Sequence, residues 1–402
     1  MIKIIDKRSC CGCSACMQRC PQKCIEMRED KEGFLYPEVD EDACVDCGLC
    51  EKVCPLLNRA DAISPLRVVA VKNLNEEERL KSSSGGVFIE LAKVIIEKGG
   101  VVFGAVYDSN WEVVITYAET VDAVRPMMGS KYMQARVETA YKDAECFLKQ
   151  GRLVLFTGSP CQIAGLRGFL CKEYDNLLVV DFLCHGVPSP AVWRRYLNEC
   201  VKGKSSQGMV GDIRFRDKRL GWKRYSLVVR QKSISETGES RFLLSNTYRD
   251  DLYMSGFLRN VYLRPSCYDC RSKNGVNHSD LTIADFWGIE LFMPDFDDDK
   301  GVGLVLVNSA KGSQYFDLLP MEVRLSSLAE AKTVNGGFSE HLRKHPKREE
   351  FYRRFCGGNE PLVRILKDVL HIPFHKRFTH KVKSYVKRAV RSVFPKPVIR
   401  KL

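Results

Sequence analysis

Eight cysteines near the start of the chain fall into two runs of one spacing. Cys10, Cys13, Cys16 and Cys20 precede Pro21, and Cys44, Cys47, Cys50 and Cys54 precede Pro55. The pattern C-x2-C-x2-C-x3-C-P suits two 4Fe–4S clusters. Three thiolates on one tight loop reach three irons of a cube, while the fourth corner faces away from that loop. The fourth cysteine of each run is therefore expected to ligate the other cluster. One cluster takes Cys10, Cys13, Cys16 and Cys54; the second takes Cys44, Cys47, Cys50 and Cys20. Gly12 and Gly48 suit a backbone that wraps closely around sulfides and offers them N–H groups. Two zinc sites are the competing reading, because four-cysteine zinc modules also use C-x2-C spacing. Zinc needs two cysteines per loop, which leaves the third cysteine and the x3-C-P ending unexplained. Cys11 and Cys24 lie outside the pattern and read as buried or spare thiols.

A second group of thiols lies further on. In Thr157-Gly158-Ser159-Pro160-Cys161-Gln162 a strand ends and a helix begins, so Cys161 sits where the helix dipole favours a thiolate. Cys184-His185-Gly186 ends the next apolar run. If the two strands are parallel neighbours, both cysteines lie at the carboxyl edge of one sheet, where ligands usually bind. Cys267 and Cys270 follow Arg264-Pro265 on a loop. Together these four thiols suffice for a third 4Fe–4S cluster, although a lone C-x2-C also serves as a zinc half-site or a redox pair. Cys146, Cys171, Cys200 and Cys356 lie in helical patterns and read as packing residues.

The elements that must position these groups are legible in outline. Residues 1–60 are cysteine-dense and short of long periodic segments. Between 61 and 345, the runs 68–72, 101–107, 153–158 and 177–183 read as buried strands, and 88–98 and 162–172 as helices. Segments 225–231 and 282–286 suggest further strands. The alternation predicts an α/β body with a mixed sheet. Residues 346–402 read as a helical tail.

The chain has 402 residues, 45% hydrophobic and 28% charged, enough for two or three domains. No apolar leader is visible in the first ten residues, and no apolar run approaches the roughly 18 residues of a membrane span. The expected location is therefore the cytoplasm, where 18 cysteines point to metal or redox work rather than disulfides. The net charge of +13 does not predict nucleic-acid binding. Ten basic residues and no acidic ones follow Val369, which leaves about +3 for the rest. From Phe374, apolar residues recur at steps of three and four through Val393. This stripe opposite a Lys/Arg face allows residues 372–402 to lie on an anionic membrane surface, or to pack on the body.

From Cys10 to about Lys311, several segments together resemble the family of the coenzyme F420 hydrogenase/dehydrogenase beta subunit. They are Ser83-Ser84-Gly85-Gly86, Gly129-Ser130-Lys131-Tyr132, Gly158-Ser159-Pro160-Cys161-Gln162, Asp181 to Ser189, the Cys267/Cys270 pair and Asp285-Phe286-Trp287-Gly288. The resemblance implies a ferredoxin-type 2×4Fe–4S domain at 1–60, an N-terminal-like domain of the beta subunit at 61–145 and a C-terminal-like domain at 146–345. It also implies FAD, strengthens the case for a cluster on Cys161, Cys184, Cys267 and Cys270, and makes coenzyme F420 a possible substrate. Similar modules serve hydrogenases, formate dehydrogenases, sulfite reductases and a plant chlorophyll reductase, so the substrate does not follow from membership.

A flavin makes chemical sense here, because clusters pass single electrons while most organic substrates take two. Ser84, Gly85 and Gly86 open a helix whose N–H groups could cradle a diphosphate, or simply cap that helix. Lys131 could place a cation near the flavin or its phosphates, and Tyr132 could stack on a ring; otherwise they are a solvated lysine and a half-buried aromatic. Asp285 and Trp287 are expected to wall the cluster or flavin. His185 would hydrogen-bond a cluster sulfide or relay a proton. Arg214, Arg216, Asp217 and Lys218 form a charged loop that could receive an acidic substrate, or are a solvated strand end. No catalytic residue stands out. The sequence thus predicts an iron–sulfur flavoprotein oxidoreductase with a redox partner such as ferredoxin or another oxidoreductase subunit. A non-catalytic electron-transfer subunit is the alternative, and a zinc-stabilised interaction protein a third reading.

Overall fold

The computed structural model describes residues 1–201, 210–232 and 241–371. The N-terminal segment holds one antiparallel hairpin, β1 (Ile25–Glu29) with β2 (Leu35–Val39), and two short helices, Ala15–Arg19 and Leu49–Lys52. Each helix starts at a residue with positive φ, Ser14 at 62° and Gly48 at 71°. These tight turns curl each cysteine loop back on itself.

The body is built on β3 (Arg67–Asn73), β4 (Val101–Tyr107), β5 (Val113–Ala118), β6 (Val154–Thr157) and β7 (Leu177–Phe182). A separate trio follows, β8 (Val210–Asp217), β9 (Ser226–Gln231) and β10 (Phe242–Thr247). The chain then adds β11 (Leu281–Asp285), β12 (Gly303–Val307) and β13 (Met321–Ser326). The large sheet has the order β13-β3-β12-β11-β7-β6-β4-β5, and β8–β10 form a three-stranded antiparallel sheet. Pairs β4/β6, β6/β7 and β7/β11 are parallel, with Thr157 opposite Val180 and Phe182 opposite Ile283. The other pairs are antiparallel. The sheet is therefore mixed, as the sequence predicts.

Its central strands are continuous apolar runs because both faces are covered. Val101, Phe103, Val154, Phe156, Leu177 and Val179 face the helix Pro160–Leu170 and the N-terminal residues Cys11, Cys13, Ala15 and Val53. Val102, Leu155, Leu178 and Val180 face the helix Val87–Glu97. The N-terminal segment is thus packed directly on one face of the sheet. Residues Arg348–Gly357 and Leu362–Leu370 form helices whose apolar sides join the aromatic core around Trp193, Phe215 and Tyr253. This stretch, read in sequence as the start of a tail, is part of the body; the expected basic helix at 372–402 lies outside the described residues. Among the described residues, no helix is long and apolar enough to cross a membrane. Cys146, Cys171 and Cys356 are exposed rather than packed. Cys171 closes its helix in the left-handed conformation, at φ 56°.

Candidate redox site

The two N-terminal cysteine runs line two separate cavities. One is walled by Cys20, Cys44, Cys47 and Cys50 together with Cys24. The other is walled by Cys10, Cys13, Cys16 and Cys54 together with Cys11. Each cavity therefore takes three thiols from one run and the last thiol from the other. The first is the outer one: Cys47 is exposed, and Asp46 beside it binds the Met1 amine at 2.7 Å. The second lies against the body, and burial pushes the Cys16 thiol up to about 12. Both have the donor chemistry of a four-iron cube, soft thiols on close backbone loops. Among the described residues, no three His, Cys, Asp or Glu side chains converge on a single ion.

Cys11, left outside the pattern by its spacing, occupies a junction. Its thiol lies close enough to those of both Cys13 and Cys161 for each to act on its ionisation. Cys161 opens the Pro160–Leu170 helix, whose N-terminus is closed by a capping box between Ser159 and Gln162. Cys161, Cys267 and Cys270 all act electrostatically on Cys184, which places the four body thiols in one neighbourhood. Contact with Cys11 and burial raise the Cys161 thiol, while burial raises Cys184 and takes Cys267 to about 12. Metal-free thiols in such surroundings keep their protons, and a cluster must displace them on binding. Cys24 stands 3.4 Å from Cys20. His185 bonds Asn260 at 2.7 Å, and burial lowers its basicity.

The residues expected around a flavin also meet in one region. Ser83 bonds the Ser130 hydroxyl at 2.9 Å and accepts from the Ser130 N–H at 2.7 Å, which joins the turn before Val87 to the Lys131 segment. Gly85 has no room for a side chain, since a Cβ would lie 2.6 Å from the Gly303 nitrogen and the Val71 oxygen. Gly86 has φ +85° and caps the helix. Ser84 donates to the Val302 carbonyl. The turn is thus locked onto β3 and β12 at the edge of the sheet.

Lys131 is half-buried, and its ammonium donates to the carbonyls of Met127, Met128 and Gly129 at 3.4, 3.1 and 3.3 Å. Loss of water pushes it down to about 7. Tyr132 packs on Phe215 and Phe257, and its hydroxyl accepts from Arg216 at 3.2 Å. Asp285 is held by both terminal nitrogens of Arg216 at 2.7 Å and by the Trp222 indole at 2.7 Å. Trp287 stacks on Trp222 with centroids 4.6 Å apart.

The charged segment divides: Arg216 and Asp217 are buried in β8, Arg214 of the same strand is exposed, and Lys218 follows the strand's end. A register shift between Arg214 and Asp217 turns Arg216 inward, where its Nε is buried without a partner. Lys218 donates to the carbonyls of Arg79, Ser84 and Lys300, and burial lowers it to about 7. Of these three groups only the guanidinium N–H is unpaired; the ammonium protons of Lys131 and Lys218 are taken by carbonyls, which an anionic group such as a diphosphate would have to displace.

Sequence reasoning missed Arg264. It is fully buried, and its position beside Pro265 and the Cys267/Cys270 pair was the available signal. It donates to the Cys10 carbonyl at 2.9 Å, the Leu35 carbonyl at 2.9 Å and Gln134 at 2.9 Å, with Nη2 3.5 Å from the Cys10 sulfur.

Comparison with known proteins matches two stretches of the chain. Residues 151–329 match the family model for the C terminus of the beta subunit of coenzyme F420 hydrogenase/dehydrogenase, and residues 9–57 match the 4Fe–4S dicluster domain. The chain is 28% identical over 197 residues to a subunit of the F420H2 dehydrogenase of Methanosarcina mazei, covering 45% of this chain and 55% of that one. It is 27% identical over 168 residues to the coenzyme F420-dependent sulfite reductase of Methanocaldococcus jannaschii, covering 41% of this chain and 26% of that one. The chain thus spans about half of the first relative and a quarter of the second. A chain of the F420-reducing nickel–iron hydrogenase complex from Methanosarcina barkeri superposes with a TM-score of 0.46 at 16% identity, covering 76% of this chain and 92% of that one. The protein therefore joins a 4Fe–4S dicluster domain at residues 9–57 to a domain, at residues 151–329, of the family of the coenzyme F420 hydrogenase/dehydrogenase beta subunit.

Proposed function

We propose that this chain is an iron–sulfur flavoprotein oxidoreductase, moving electrons between 4Fe–4S clusters and FAD, to or from a two-electron substrate. One observation carries the reading. The carboxyl ends of the parallel strands β6, β7 and β11 bring Cys161, Cys184 and Asp285 to a single edge, and Cys11 connects that edge to the inner cysteine cavity. In open α/β sheets this edge is where ligands bind.

Cys161, Cys184, Cys267 and Cys270 would hold a third cluster. Lys131 and the free Nε of Arg216 would bind the anionic part of FAD, with the Ser84-Gly85-Gly86 turn fixing the helix N-terminus toward it. Tyr132 and Trp287 would bound the ring system, and Asp285 would keep Arg216 oriented. Bound there, FAD would supply the exchange between one-electron and two-electron chemistry. The relatives' names make coenzyme F420 the first substrate to try.

Anaerobic purification with iron, sulfide and flavin quantification tests the reading. About 12 irons and one FAD per chain are expected, three four-iron clusters in all. About eight irons without flavin would leave a two-cluster electron-transfer subunit working for a partner enzyme. The Methanosarcina mazei relative, itself one subunit of a dehydrogenase, favours that second reading.

A further inference from the structure

Arg264 is an arginine with 0% exposure, and among the described residues no carboxylate pairs with it. A buried cation is costly unless its charge is met. Its oxygen partners, the carbonyls of Cys10 and Leu35 and the Gln134 amide oxygen, are all neutral. The Tyr36 ring lies under it at 4.3 Å. Gly12 makes the approach possible, because a Cβ there would sit 2.7 Å from the Arg264 Nη1. Among the described residues, the ionisable groups that bear on its charge are the Cys10 thiol, at 3.5 Å, the Tyr36 phenol, and the thiols of Cys11 and Cys267; of these, only the thiols belong to candidate cluster loops. Arg264 stands behind the Cys10–Gly12 loop that walls the inner cavity; the cation in the outer cavity's wall, the Met1 amine, is already paired with Asp46.

A site ligated by four thiolates is anionic, and each electron it takes up adds one negative charge. Burial alone disfavours that addition, as it disfavours any added charge. A guanidinium fixed against the inner ligand loop acts in the opposite direction.

We propose that Arg264 is a potential-setting residue, whose buried, otherwise unmatched charge favours reduction at the Cys10/Cys13/Cys16/Cys54 site over the outer site. It thereby directs electrons inward. The step is a one-electron exchange: the outer site is oxidised by one electron, the inner site is reduced by one, and no bond or proton changes hands. The proposal rests on reading the two cysteine cavities as four-iron sites.

The experiment is an EPR-monitored redox titration of the full chain, purified anaerobically, with dithionite as reductant. Parent, Arg264→Lys, Arg264→Gln and Gln134→Glu are compared. Cys47→Ser, which perturbs the outer loop, identifies the outer signal. Arg264→Gln should lower the equilibrium constant for outer-to-inner transfer about tenfold, ~59 mV for one electron. The outer potential should stay fixed, and Arg264→Lys should retain most of the parent value. Gln134→Glu keeps Arg264 and nearly the same shape but supplies the missing counter-charge, so it should shift the inner site the same way. It decides the matter should Arg264→Gln fail to assemble. Unchanged inner potentials, equal shifts at both sites, or a lysine variant as affected as the glutamine would overturn the proposal. Iron and sulfide analysis of the parent is the separate check: absence of four-iron clusters would reject the cavity reading itself, and the proposal with it.

Discussion

An ammonium enclosed by backbone carbonyls is a different acid from one in water, and Lys131 carries the consequence. Its folded value is lowered to about 7 from 10.5 by burial. Between those two values the unfolded chain holds a proton that the folded chain has released. Stability attributable to this group must therefore rise with pH across that window and be lowest below pH 7. In urea denaturation, the stability difference between Lys131→Met and the parent should be most favourable to the variant near pH 6.5, and should shrink steadily toward pH 10. A difference independent of pH would mean the ammonium is not depressed. Nothing in the sequence announced this, because enclosure comes from Met127, Met128, Gly129 and Tyr107 folding around one lysine. The cysteine runs were legible for the opposite reason. Their information is local, in spacings of two and three residues. Arg264 was not legible, since Cys10, Leu35 and Gln134 come to it from distant parts of the chain.

At the scale of elements, the Pro160–Leu170 helix does two jobs, and its glycines show how. It starts with Cys161 and presents Gly165 and Gly168 to the N-terminal segment. A Cβ on Gly165 would lie 2.8 Å from the Cys13 Cβ and 2.9 Å from its sulfur; one on Gly168 would lie 2.5 Å from the Val53 carbonyl. Glycine inside a helix costs about 1 kcal/mol relative to alanine, so a close approach is the physical reason for keeping it. Gly165→Ala should nevertheless destabilise the protein, by about 1–3 kcal/mol of overpacking, because the Cys13 Cβ is fixed to backbone and the Tyr141 hydroxyl, also 2.8 Å away, belongs to a fully buried ring and donates to the Gln162 carbonyl. Far-UV circular dichroism should be retained, while iron per chain falls by about four as the Cys13 loop is displaced. A variant with full iron content would show that the loop yields. The helix and the strands 101–107 and 177–183 were readable as long apolar or periodic runs. β8 was not, because a bulge buries Arg216 and Asp217 in succession and hides the alternation that marks a strand.

For the whole molecule, the question is whether the N-terminal segment is a tethered module or part of one body. The turn between β1 and β2 answers it. Glu32 forms a two-pronged ion pair with Arg348 at 3.0 and 2.5 Å, and its carbonyl accepts from the Ser189 hydroxyl at 2.5 Å. The Cys356 thiol donates to the Lys31 carbonyl at 3.1 Å, and a Cβ on Gly33 would collide with Ala191. These contacts join residues more than 150 positions apart, which is why the sequence marks out a ferredoxin-type domain at 1–60 without showing how it is seated. The side chains of Arg348 and Glu32 are 7% and 15% exposed. Removing one partner strands the other, and Arg348→Met should cost about 3 kcal/mol, the low end for breaking a buried pair because Glu32 keeps some access to water. The loss should appear locally first. Limited proteolysis should cut the exposed connection at 57–62 faster in Arg348→Met than in the parent, with the body's fragment persisting after the N-terminal one is lost. Equal cleavage rates would mean that the packing of Cys11, Cys13, Ala15 and Val53 on the sheet holds the segment without the clamp.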